Sequence, residues 1–324
     1  MAAMVNRHTH PEIFQGQLKY QHYFEGWYFK HTSTSSNESI AFIPGVSLNP
    51  DDSHAFIQVI QSHPVRTYYF TYPLDCFDTT DSPFSVTIGD SFFSLTETNI
   101  DITDGAYHFK GQFFYDNMIP IDRSLLTPNI MGFFSYIPKM ACKHGVISMH
   151  HQVNGTLTDA SGHILTFKDD HGYIEKDWGH SFPEKYIWSQ ANHFPKKQTS
   201  LMVSVATIPL LTTSFIGHLC HLHLDGKDYR FATYNGSKIT QLKITDQHLF
   251  LILTKNQWRL KINAWLDDAK ELKAPLNGAM TDTIKEGLGG TLDFKLYHQN
   301  QLIHVDSSPY AGIEVVNMTN INAN

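Results

Sequence analysis

Short segments of alternating apolar and polar side chains, each closed by turn residues, recur along almost the whole chain. A two-residue period puts successive side chains on opposite faces, which is the pattern of half-buried strands, and its regular repetition points to an antiparallel sandwich or barrel. In the first half it predicts strands over 20–31, 39–47, 55–61, 65–72, 84–88, 92–96, 107–115 and 155–157. In the second half it predicts strands over 201–208, 215–224, 229–234, 238–244, 249–254, 258–265, 291–297 and 312–317. The dipeptides Asp225-Gly226 and Asn235-Gly236 carry hairpin chemistry. Residues 281–287 suit one short helix, and 124–144, interrupted by Pro128, Gly132 and Pro138, reads as a long loop able to cover a cavity mouth. Aromatic residues make up 13% of the 324 positions and charged residues only 17%, which favours strands over long solvated helices. The expectation is an all-β chain of two antiparallel domains, 1–170 and 171–324, each the size of an ordinary domain.

The densest chemistry lies at the expected junction, residues 172–194. Alternation places Tyr173, Glu175 and Asp177 on one strand face and Ile174, Lys176 and Trp178 on the other. Gly179 to Pro183 interrupts the pattern as a corner, and a second strand follows, with Trp188, Gln190 and Asn192 on one face and Ile187, Ser189, Ala191 and His193 on the other. The rest of the composition narrows the function. A formal charge of −7 without a Lys/Arg cluster argues against a nucleic-acid partner. Cys76, Cys142 and Cys220 are scattered and odd in number, as free thiols of a reducing compartment are. The N-terminal residues lack the apolar core of a signal peptide, so the expected location is cytoplasmic, with peripheral membrane contact for lipid access. Residues 199–217 carry no formal charge, but Pro209 and several Ser and Thr make them two buried strands rather than a span. His221 and His223 share a strand face without a carboxylate at a convincing spacing, and no phosphate loop, GxSxG or HExxH is present, so no metal or cofactor is expected.

The aromatic motifs together resemble the tocopherol cyclase family. The matching residues are Glu25-Gly-Trp-Tyr-Phe29, Glu175-Lys-Asp-Trp-Gly179, Phe182-Pro183 and Trp188-Ser-Gln-Ala-Asn192, then Tyr229-Arg-Phe-Ala-Thr233 and Ala311-Gly-Ile-Glu314 downstream. The resemblance implies two lipocalin-like β-barrels or sandwiches side by side, a fold shared with carotenoid hydratases. It also implies a ligand site at or between them, and closure of a chromanol ring on a prenylated hydroquinone.

That reaction adds a phenol O–H across an alkene. A proton must reach carbon, so the site needs a competent acid, such as a carboxyl kept protonated by an apolar pocket. Aromatic faces would stabilise the developing cation. The clustering nominates Asp177 or Glu175 as the acid, with Glu25 as a further catalytic candidate. Trp27, Trp178 and Trp188 would line the cation region, and Gln190 and Asn192 would orient the phenol. Tyr28, Lys176 and His180 stand in the same motifs as substrate contacts. Structural alternatives stand beside each role. Glu25 could pair with Lys176, Asp177 could hold the Gly179 turn, the indoles could be core, and the amides could satisfy backbone. At the level of function the rivals are a hydratase, a carrier of an apolar ligand, and a member without activity.

Overall fold

A computed structural model of the chain describes residues 7–138, 140–210, 213–245, 247–318 and 321–323. The chain is all-β and lipocalin-like in type. It divides into two compact units: unit 1 comprises residues 1–60, 67–182 and 273–282, and unit 2 comprises 61–66, 183–272 and 283–324. The division after Phe182 leaves the whole of the strand bearing Glu175 and Asp177 in unit 1.

The first sheet holds β1 (Tyr23–Ser33), β2 (Glu38–Leu48), β3 (His54–Ser62), β4 (Val65–Tyr72), β5 (Phe77–Asp81), β6 (Phe84–Ile88), β7 (Ser91–Ser94), β8 (Glu97–Asp104), β9 (Tyr107–Ile119), β10 (Cys142–Thr158) and β11 (Ile164–Gly179). Its order is β4-β3-β2-β1-β11-β10-β9-β8-β7-β6-β5. The long strand β11 therefore returns to pair with β1 on one side and β10 on the other. The sheet curls so that Tyr68 of β4 meets Phe109 of β9, their ring centroids 5.1 Å apart. The enclosed core contains Trp27, Phe29, Phe42, Phe93, Phe113, Phe167 and Ile174.

The second sheet holds β12 (Tyr186–Ala191), β13 (Ser200–Leu210), β14 (Thr213–Leu224), β15 (Lys227–Ala232), β16 (Lys238–Ile244), β17 (His248–Lys255), β18 (Trp258–Trp265), β19 (Lys270–Leu276), β20 (Ala279–His298), β21 (Gln301–Val316) and β22 (Ile321–Ala323). Its order is β15-β14-β13-β12-β21-β20-β18-β17-β16-β22, with β19 paired to β20. Its core includes Ile187, Ala191, Val203, Leu222, Leu251, Ile262 and Phe294. Among the described residues no helix is long and apolar enough to cross a membrane.

Several local expectations change. Residues 281–287 are strand, inside β20. The pairing of β20 with β21 shifts register between Gly287 and Gly290 and again before Leu292, which blurs the two-residue period there. β10 starts at Cys142 and runs far beyond 155–157, its alternation broken by shifts near Ser148 and Gly155. Asp225-Gly226 is the hairpin turn between β14 and β15, with φ of 54° and 68°. Asn235-Gly236 is not a hairpin. It closes a 3-10 turn over Thr233–Asn235, and the strands it joins, β15 and β16, are not neighbours. There the Asn235 side chain accepts from Ala232 N and donates to Arg230 O instead.

Polar rings are set into the core of unit 1. His31 stacks on Phe113 with centroids 4.3 Å apart, and its Nε2 is 2.6 Å from the Tyr115 hydroxyl. Burial pushes His31 down to about 3, so the ring is neutral. His151 lies edge-on to Tyr115, and its Nδ1 is 3.0 Å from Ser148 Oγ. The His151 ring covers Gly172, where a Cβ would overlap its Nε2. Gly172→Ala is therefore expected to destabilise the protein by about 1–3 kcal/mol, because the fully buried imidazole has no free space to move into. Urea denaturation of the variant measures this.

Candidate functional site

The pleat of β11 decides which motif residues meet. Register pairs Trp27 with Lys176 and Glu25 with Trp178, so these four share the inner face of unit 1. Tyr28 pairs with Glu175, and His144 of β10 pairs with Asp177, so Tyr28, His144, Glu175 and Asp177 share the outer face. The segment thus serves two clusters, one on each side of a single strand.

The inner cluster is a buried ion pair. Lys176 and Glu25, both fully buried, form a salt bridge. The ammonium also donates to Ile13 O and lies over the rings of Trp27 and Trp178, 4.7 and 5.0 Å from their centroids. The Glu25 carboxylate accepts from the backbone N–H of Gln15 at 2.9 and 3.0 Å, from Gly16 N at 3.1 Å and from the Tyr23 hydroxyl. The Trp27 indole donates to Glu12 O at 2.7 Å. Glu25, Trp27 and Lys176 thereby anchor the segment Glu12–Gly16. This placement favours their structural alternative, because the Trp27 face is covered by the lysine and the Glu25 oxygens are taken up by N–H and O–H donors. Burial lowers the Lys176 pKa, and Glu25 opposes that shift.

The outer cluster is a chain of ionisable groups joined by two hydrogen bonds and one ion-pair contact. The Tyr173 hydroxyl donates to Glu175 Oε2 at 2.5 Å. Glu175 Oε2 lies 3.4 Å from His144 Nε2. On its other side, His144 Nδ1 lies 2.9 Å from Asp177 Oδ1. Side-chain exposure rises along this chain, from 6% for Glu175 through 13% for His144 to 27% for Asp177, so Asp177 is its accessible end. Burial alone would lower the His144 pKa, but the Asp177 and Glu175 carboxylates outweigh it and raise it to about 9. The imidazole is therefore a cation at neutral pH. Burial and the Glu175 charge push the Tyr173 hydroxyl well above its ordinary value, keeping it a donor. His144, Glu175 and Asp177 also place one donor atom each within 4.8 Å of one another, a spacing able to hold a cation.

His144 is the member of this cluster that sequence reasoning missed. It lies 33 positions before Asp177 and joins it only through the β10–β11 register. Gly179 ends β11 at φ 151°, where a side chain would strike Ala141 O. His180 anchors the following corner, its N–H donating to Ala141 O at 2.8 Å and its carbonyl accepting from Gly278 N at 2.7 Å. Trp188, Gln190 and Asn192 belong to unit 2; Trp188 and Gln190 lie on the face of β12 opposite its core, and Asn192 follows the strand. All three are buried, and Trp188 pairs in register with Glu314. In the same unit, register brings Asp228 of β15 to the histidine pair of β14, 2.7 Å from His223 Nδ1 and 3.2 Å from His221 Nε2. This is the carboxylate that linear spacing did not reveal.

Comparisons with known proteins follow the fold and the motifs. A family described as tocopherol cyclase-like matches residues 124–316. Among solved structures, an AttH protein from Nitrosomonas europaea is similar at 14% identity with a TM-score of 0.56, covering 92% of this chain and 94% of that one. Kievitone hydratase from Nectria haematococca is similar at 13% identity with a TM-score of 0.55, covering 95% and 94%. Likeness at this level of identity is likeness of fold.

Two outcomes are expected from the two clusters. Lys176→Met leaves a buried carboxylate uncompensated and should cost about 3–5 kcal/mol of stability, whereas adding Glu25→Leu should restore part of it. Chemical denaturation of the single and double variants decides this. His144 has a raised pKa in the folded state, so its contribution is complete below the unfolded value of 6.5 and lost as pH rises through about 9. Stability should fall across that window by up to about 3 kcal/mol, and His144→Gln should flatten the slope. NMR titration of the ring checks the same assignment.

Proposed function

Because the chain belongs to the tocopherol cyclase-like family, we propose that it is a proton-transfer enzyme that adds an O–H across a carbon–carbon double bond of a hydrophobic, prenylated phenol or quinol. The observation that supports this reading is His144, held protonated at neutral pH between Glu175 and Asp177.

The proposed steps are these. The His144–Asp177 pair delivers its shared proton from the accessible Asp177 end to one alkene carbon. Positive charge develops on the more substituted neighbouring carbon, where the phenol oxygen attacks and forms the C–O bond. The phenol proton returns to the relay, so substrate and product are isomers and no cofactor takes part. Glu175, held by Tyr173, keeps His144 oriented and balances the charge as the proton leaves and returns. Of the three nominated indoles, Trp178 shares the inner face with Trp27, Lys176 lying over both rings, and Trp188 lies on the face of β12 opposite the core of unit 2. Holding the oxygen against the alkene supplies orientation worth several kcal/mol. Tyr28, on the same face as Glu175, is placed in this reading as a substrate contact.

Hydration is the nearest alternative, with water in place of the phenol oxygen, and it uses the same proton relay. A carrier would have no use for such a relay. Incubation with a prenylated hydroquinone in deuterated water separates the three. Cyclisation gives a product isomer with one deuterium on carbon, hydration adds the mass of one water, and a carrier returns the ligand unchanged. His144→Ala and Asp177→Asn should each lower turnover about 10²–10⁴-fold. The rate should decline as pH rises through about 9, where His144 gives up its proton. Full turnover in either variant would remove the relay from the mechanism.

A further inference from the structure

The segment between β9 and β10 carries an apolar tip. From Ser124 to Pro138 the sequence contains no formal charge. A tight turn is closed by reciprocal backbone hydrogen bonds between Ser124 and Thr127, at 3.0 and 3.2 Å. Its two apex positions are Leu125 and Leu126, 78% and 79% exposed. Turn apices are ordinarily Gly, Asn, Asp or Pro, so two leucines there are not explained by the turn. Phe133, Tyr136 and Ile137 add three more half-exposed apolar side chains. The Tyr136 hydroxyl donates to Leu125 O at 2.7 Å, which ties the two parts of the patch together.

The patch is preformed. Asn129, buried beneath it, accepts from Met131 N and Ser135 Oγ at 2.9 and 2.7 Å and donates to His8 O. The same loop reaches the relay, where His144 N donates to Met131 Sδ at 3.1 Å and Lys143 Nζ donates to Ser135 O at 2.9 Å. The loop therefore joins an exposed apolar tip directly to the strand that carries His144.

We propose that this tip docks the protein on a zwitterionic lipid surface, from which the oily substrate reaches the His144 relay. The choice of lipid rests on the substrate reading above, whereas the exposure of the tip does not. Protruding aliphatic side chains suit insertion between lipid chains better than a flat protein interface, whose buried centre is typically rich in aromatic residues and arginine. Charge argues for a neutral surface. The chain carries −7, residues 124–138 have no charge, and of the two cations next to them in sequence, Arg123 and Lys139, Arg123 donates to Thr9 O in the protein itself.

Flotation with phosphatidylcholine vesicles tests the proposal on the full chain. The protein should float with the vesicles equally at low and high salt, since the driving force is apolar. Leu125→Asp combined with Leu126→Asp should lower the bound fraction about tenfold or more. Leu125→Trp, a second variant at the same exposed site, should show a blue shift in emission on adding vesicles. His144→Ala should float like the parent, so loss of the catalytic reading would leave docking standing. The proposal is overturned if the parent does not float. It is also overturned if the double variant floats equally, if binding requires anionic lipid and vanishes with salt, or if the tip proves to be covered by a second copy in a dimer that the double variant dissociates.

Discussion

Lys176 sits where a charge is least tolerated, inside a β core between two indoles, and this is possible only because Glu25 and Ile13 O meet its ammonium. Separating this pair would expose each partner to a desolvation cost of several kcal/mol, so the two strands that carry them are held in one register. Because alternate residues of a strand face opposite ways, fixing Lys176 inward fixes Glu175 and Asp177 outward. The outer cluster thus inherits its geometry from an ion pair on the opposite face of the same strand.

The two clusters treat charge in opposite ways. On the inner face one cation and one anion neutralise each other and are saturated with hydrogen bonds, which suits an anchor. On the outer face two carboxylates share one imidazole, and accessibility increases toward Asp177. Such an arrangement holds a proton firmly while leaving one end open to exchange it. Structural ion pairs also shift pKa values. What distinguishes the outer set is its chain of four titratable side chains, Tyr173, Glu175, His144 and Asp177, graded from buried to half-buried.

Much of this was legible in the sequence because β alternation is local. The faces assigned to Tyr173, Glu175 and Asp177, to Lys176, and to Trp188 and Gln190 agree with the pairing. The pairing of Glu25 with Lys176 was among the alternatives for the same reason, since both residues stand out as charges in aromatic runs. Legibility failed where register slips. β10 and β20 contain register shifts that break the two-residue beat; residues 145–154 of β10 carry no strand expectation, and 281–287 of β20 read as a helix. Asn235-Gly236 failed differently, because a dipeptide reports a local left-handed turn and not whether the strands beyond it pair.

The sequence by itself determined the all-β class, the dyad period of each strand and the chemical inventory of the central motif. All three depend on neighbours a few residues apart. Only the tertiary structure decided that His144 stands between Glu175 and Asp177, that Asp228 joins His221 and His223, and that Glu25 meets Lys176 inside unit 1. Each of those partnerships is set by the register between two strands. Register is a collective outcome of core packing and buried charge, with no signature in either strand read alone.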